Sequence, residues 1–252
     1  MRLLFTLLIT FISNMAMAQF PHVPDATKAA LSIKEMELNG QKLSYGISYP
    51  EHYDPSEKYP SLLCLTGGNF SQQLAYYYYH AYSPRESFQE FIKIYPISPR
   101  NKSLLSFDDT DWQELIKGLQ KNEPLSEGGW VISGASNGGV ATYDLISASP
   151  ATFEGFITIP GSMRGQPLLE EWKDYKVLIV YMSQDHGWIS SSKQAYSRLK
   201  DHVKSIDIFE IKGYGHILPE TYDIEPIYER YLGLRYKEYI QAAFLFLRFH
   251  FS

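Results

Sequence analysis

Six short apolar runs recur along the chain: Ser61–Leu65, Phe91–Tyr95, Trp130–Ser133, Phe156–Ile159, Val177–Tyr181 and Ile206–Ile211. Stretches with helical spacing separate most of them, such as Trp112–Gln120, Gly139–Ala148 and Ser192–Val203. Strands that are apolar throughout bury both faces, and their alternation with helices predicts a mostly parallel sheet with helices on both sides. Upstream, Ile33–Leu38 and Lys42–Tyr49 partly alternate between apolar and polar positions. Asn39-Gly40 stands between them, and this dipeptide favours the left-handed backbone of a tight hairpin turn. The pattern gives about eight strands, the first two antiparallel or edge-forming. Near the other end, Tyr236, Tyr239, Ile240, Ala243, Phe244 and Leu247 recur at helical spacing, predicting a packed closing helix within Tyr231–Phe249.

The first residues follow a different pattern. Met1-Arg2 is a short positive start, Leu3–Ile12 is an apolar core, and Ala16-Met17-Ala18 has the small-x-small form of a cleavage site. Residues 1–18 therefore read as an export signal, with a mature protein starting at Gln19 and one domain over 19–252. The apolar run is shorter than the roughly 20 residues a membrane span needs. A periplasmic or secreted protein with no membrane span after cleavage is the expectation.

Cys64 is the one cysteine in the 252 residues, so no internal disulfide forms, and its apolar neighbours predict a buried, inert thiol. The net charge is −5 with both signs interspersed, which argues against a nucleic-acid partner. No cluster with metal-ligand spacing stands out, and no metal or cofactor is expected. Asp108, Asp109 and Asp111 precede a helical stretch and are explained as N-terminal caps.

Candidate chemistry centres on Gly134-Ala135-Ser136-Asn137-Gly138, between the run Trp130–Ser133 and the helical stretch that follows. Strand, sharp turn and helix with a serine at the apex lift the hydroxyl clear of the sheet. They also set it at a helix N-terminus, where free N–H groups can hold developing negative charge. A serine needs a base, and the base an orienting acid. Asp185 follows the strand at Val177–Tyr181, and His216 follows the strand at Ile206–Ile211. His186 rivals His216, and Asp207 and Asp223 are weaker alternatives to Asp185. Asp174 precedes its strand and so belongs to the wrong edge of the sheet. In Leu65-Thr66-Gly67-Gly68-Asn69, the Gly68 N–H is the candidate oxyanion donor, with Asn69 its rival and Asn137 N–H its partner. Tyr76-Tyr77-Tyr78-Tyr79 cannot all face one core, so some reach the surface or line a cleft.

These landmarks, in this order over nearly all of the mature chain, resemble an α/β-hydrolase, and within it the small exported esterases of carboxylesterase/phospholipase, feruloyl-esterase and depolymerase types. Thr66 stands where relatives commonly have histidine, a departure that leaves the backbone donor in place. The resemblance implies Ser136 as nucleophile, His216 as base and Asp185 as the acid that orients it. It implies cleavage of a small-molecule or polymer-linked carboxylic ester through an acyl-enzyme. An amide or peptide substrate, acyl transfer, and a non-catalytic binding protein on the same fold are the alternatives.

Overall fold

The computed structural model describes residues 23–165 and 169–234. The expected export signal and most of the expected closing helix lie outside the described residues.

Eight strands form one sheet in the order β1-β2-β4-β3-β5-β6-β7-β8. They are β1 (Ser32–Leu38), β2 (Gln41–Ser48), β3 (Ser61–Leu65), β4 (Ile92–Ile97), β5 (Trp130–Gly134), β6 (Phe153–Thr158), β7 (Lys176–Met182) and β8 (Ser205–Ile211). β1 pairs antiparallel with β2, and β2 antiparallel with β4; every other pairing is parallel. The expected hairpin forms at Asn39-Gly40, whose φ angles of 49° and 76° match the turn that continues strand twist.

The helices are α1 (Asp25–Ala30), α2 (Gln72–Ala81), α3 (Asp109–Asn122), α4 (Asn137–Ala148) and α5 (His186–Leu199), with α6 over 225–234. Alternate residues of each central strand feed two separate cores. Leu63, Leu65, Trp130 and Ile132 pack on one face against Trp112, Leu115, Ile116 and Leu119 of α3 and Ala141, Leu145 and Ile146 of α4. Leu62, Cys64 and Val131 face the other way, against Ala75 and Tyr77 of α2 and Ile227, Tyr228 and Tyr231 of α6. At about 1.5–3 kcal/mol for each large apolar side chain buried, this two-sided packing supplies the main stabilisation. Cys64 is 5% exposed, and burial pushes its thiol up to about 12, which fits the inert thiol expected of it.

Several elements differ from the sequence expectation, among them the unforeseen α1. β4 runs on to Ile97, through Pro96. The β3–β4 ladder ends at Leu63 opposite Ile94, so the missing Pro96 N–H leaves no gap in it. α5 begins at His186 rather than Ser192 and stops at Leu199. α2 has no counterpart in the sequence expectation, because consecutive tyrosines are mediocre helix formers and hide the signal. Its cap was legible, since the Ser71 side chain accepts the Leu74 N–H. Asp108 caps α3 reciprocally with Asp111, and Lys102 pairs with Asp111.

Candidate active site

β5 ends at Gly134, and the chain reverses within two residues into α4. Ser136 stands at the apex with φ 56° and ψ −117°, a backbone conformation that costs a non-glycine residue about 1–3 kcal/mol. Ala135 N–H donates to Leu65 O at 3.1 Å and Ser136 N–H to Pro160 O at 2.9 Å, so the end of β3 and the loop after β6 hold the turn from both sides.

Small neighbours are a steric necessity there. A Cβ on Gly138 would lie 1.9 Å from Leu65 O, and one on Gly134 would lie 2.4 Å from Gly138 O. Both obstacles are backbone, so neither can swing aside. Gly138→Ala is expected to destabilise the fold by about 3 kcal/mol or more. Gly187→Ala is the control, since nothing lies within 4 Å of its Cβ position. Urea unfolding midpoints check this, and a wild-type midpoint for Gly138→Ala would contradict it.

The loops after β7 and β8 are laced together. Ser183 N–H donates to Ile211 O and Gln184 N–H to Tyr214 O, each at 2.9 Å, and Gly213 N–H donates to Ser183 Oγ at 2.9 Å. This lacing sets Asp185, at the start of α5, beside His216. His216 Nδ1 lies 2.7 Å from Asp185 Oδ2, and His216 Nε2 lies 2.8 Å from Ser136 Oγ. Asp185 is 7% exposed. A carboxylate has no hydrogen to give, so Nδ1 carries the proton and Nε2 is free to accept one from the serine.

The Gly68 and Asn137 N–H groups donate no hydrogen bond among the described residues. Asn137 Nδ2 donates to Gly68 O at 2.8 Å and ties the two segments together. The Asn69 side chain accepts the Ser71 N–H at 3.2 Å. Chemically, the arrangement offers a hydroxyl, a base that is itself oriented, and two free backbone donors at the carboxyl edge of a parallel sheet.

No protein-family model matches the chain, and no curated protein matches it by sequence. Solved structures do match by shape. A thermostable esterase superposes with a TM-score of 0.59 at 19% identity, over 86% of this chain and 63% of the esterase. A feruloyl esterase module from Clostridium thermocellum, solved with sinapinate, gives 0.57 at 17% identity, over 84% of this chain and 92% of the module. A chain proposed as a dipeptidyl aminopeptidase IV of Bacteroides ovatus gives 0.58 at 16% identity, over 79% of this chain and 34% of that one. This chain thus spans less than two thirds of the first and about a third of the last.

The fold is that of the α/β-hydrolases.

Within the α/β-hydrolase fold the rival residues take other work. His186 is exposed at the start of α5, next to Asp185 in sequence, and the Ser136 hydroxyl is engaged by His216 instead. Asp207 Oδ2 accepts from Arg230 Nε at 2.6 Å. Asp223 Oδ1 accepts the Glu225 N–H at 3.1 Å, at the start of α6. Asp174 is exposed just before β7, at the opposite edge.

Two features of this hydrolase-fold site went unread in the sequence. Trp188 stacks on the His216 ring, centroids 5.5 Å apart and planes 19° apart. Its position three residues after Asp185, on the first turn of α5, was the available signal. Ile217, the residue after His216, is 59% exposed, an apolar side chain left open to solvent.

Proposed function

We propose that the protein is a serine hydrolase of carboxylic esters. One observation carries the reading: the unbroken relay from Asp185 through His216 to Ser136 at 2.7 and 2.8 Å, set at the strand ends. In this reading Ser136 Oγ attacks the carbonyl carbon as its proton passes to His216 Nε2. The carbonyl electrons move onto oxygen, where Gly68 and Asn137 N–H groups donate. The tetrahedral centre collapses, the imidazolium protonates the leaving alcohol, and the acyl group stays on Ser136. Water, deprotonated by the same nitrogen, then releases the acid and restores the serine. Asp185 holds the tautomer and stabilises the imidazolium throughout. Trp188, stacked on the His216 ring, favours an apolar or aromatic group next to the imidazole.

Ester rather than amide is favoured by the named esterases among the structural neighbours. The Met1–Ala18 segment adds export to the periplasm or beyond as part of the proposal. The test is labelling with a fluorophosphonate, peptide mapping of the adduct, and turnover of aryl esters beside aminoacyl anilides. Modification at Ser136 with ester turnover dominant is expected. An unlabelled Ser136 in folded protein would sink the mechanism, and faster anilide turnover would move the substrate class to amides.

A further inference from the structure

The four consecutive tyrosines lie on α2, where each residue turns about 100° from the last, so they point in four directions. Tyr77 is buried, and Tyr79 lies edge-on to Tyr95. The Tyr78 hydroxyl reaches the backbone of Gly67, in the loop after β3. A Cβ built on Gly67 would lie 2.6 Å from the Tyr78 hydroxyl oxygen and 3.2 Å from Ser136 Cβ, so the phenol and the serine flank the same small space. The hydroxyl lies against the Gly67 backbone, whose N–H pulls the phenol's pKa down by less than burial pushes it up. Its own hydrogen has no acceptor among the described residues.

We propose that the Tyr78 hydroxyl is a third donor to the oxyanion, beside the Gly68 and Asn137 N–H groups. This rests on the serine-hydrolase reading. As Ser136 Oγ bonds to the carbonyl carbon and its proton moves to His216, the phenol donates a hydrogen bond to the new oxyanion and keeps its proton. Burial pushes this phenol well above the usual tyrosine range, so it stays neutral and its donor intact.

The ring is held for such a role. Tyr78 stacks on Tyr82, centroids 4.6 Å apart and planes 18° apart. The Tyr82 hydroxyl donates to Leu218 O at 3.2 Å and accepts the Leu218 N–H at 3.1 Å. Leu218 is two residues beyond His216. The Tyr228 hydroxyl donates to Tyr82 O at 2.9 Å and lies 2.9 Å from Ser133 Oγ, on the strand that leads to Ser136. One tyrosine cluster therefore braces the base loop, the nucleophile strand and the Gly67-Gly68 turn. Position and packing together preorganise the donor, which is what gives such a hydrogen bond its effect.

The experiment is Tyr78→Phe, which keeps the ring and its stack. On an aryl ester kcat is expected to fall by about 10²-fold, with KM unchanged. The inhibition constant of an aryl trifluoromethyl ketone, whose Ser136 adduct carries the same oxyanion, is expected to rise by the same factor. A variant with wild-type kcat and wild-type ketone affinity overturns the proposal, as does a loss confined to KM or to thermal stability. 3-Fluorotyrosine at position 78 strengthens the donor, so kcat and ketone affinity should rise together. No change in either overturns the role even where Tyr78→Phe does not fold. Fluorophosphonate labelling of the wild type at Ser136 separates the two readings. Without it both fall; with it, an unaffected Tyr78→Phe removes the tyrosine alone.

Discussion

Ser136→Ala is expected to lower kcat on an activated ester by on the order of 10⁶-fold, the size of loss seen when the nucleophile of a serine triad is removed. Fluorophosphonate labelling should vanish with it. The fold should survive, because alanine accepts the left-handed apex no worse than serine does. The backbone bonds from Ala135 to Leu65 and from Ser136 to Pro160 do not involve the side chain. The thermal midpoint should therefore move by the equivalent of about 1 kcal/mol or less. In the proposed relay the three residues act as a unit, so adding Asp185→Asn to Ser136→Ala should cost little more. Turnover near the wild-type rate in a folded Ser136→Ala protein would rule out covalent catalysis at this serine.

The second large effect concerns the acid. Asp185→Asn should keep the fold and cut turnover by about 10⁴-fold, the loss recorded for the same change in a well-studied triad. Asp185 Oδ2 lies 2.7 Å from His216 Nδ1. An amide there can donate to Nδ1, which moves the ring hydrogen to Nε2 and leaves no lone pair for the Ser136 proton. It also gives no charge to the imidazolium that forms. Asp207→Asn and Asp223→Asn are the comparisons: the first loosens a partly exposed pair with Arg230, the second the start of α6. Both should turn over ester at close to the wild-type rate. A near-normal Asp185→Asn beside a crippled Asp207→Asn would place the acid elsewhere and leave Ser136 and His216 where they are.

The sequence by itself determined the sheet and the order of the chemistry along it. Two-sided apolar runs have one way to be buried, between two helical layers, and Asn39-Gly40 fits one kind of turn. Gly134, Gly138 and Ser136 announced a tight strand-to-helix turn because little else packs against β3 at that distance. Chain order then pointed to Asp185 and His216, ahead of His186 and Asp207. What only the tertiary structure decided is which groups meet from distant parts of the chain. Helix α2 was hidden because tyrosine's helix preference is weak, and its formation depends on burying Ala75 and Tyr77 against the sheet. Once it forms and packs on the sheet, its pitch sets the Tyr78 hydroxyl beside Gly67 and Tyr77 in the core. Trp188 over His216, and Tyr82 bonded to Leu218, are likewise contacts across loops whose relative placement comes from sheet order and inter-loop hydrogen bonds. Local pattern carries periodicity and turn chemistry, whereas the direction of a side chain across a cleft is set by packing between elements far apart in sequence.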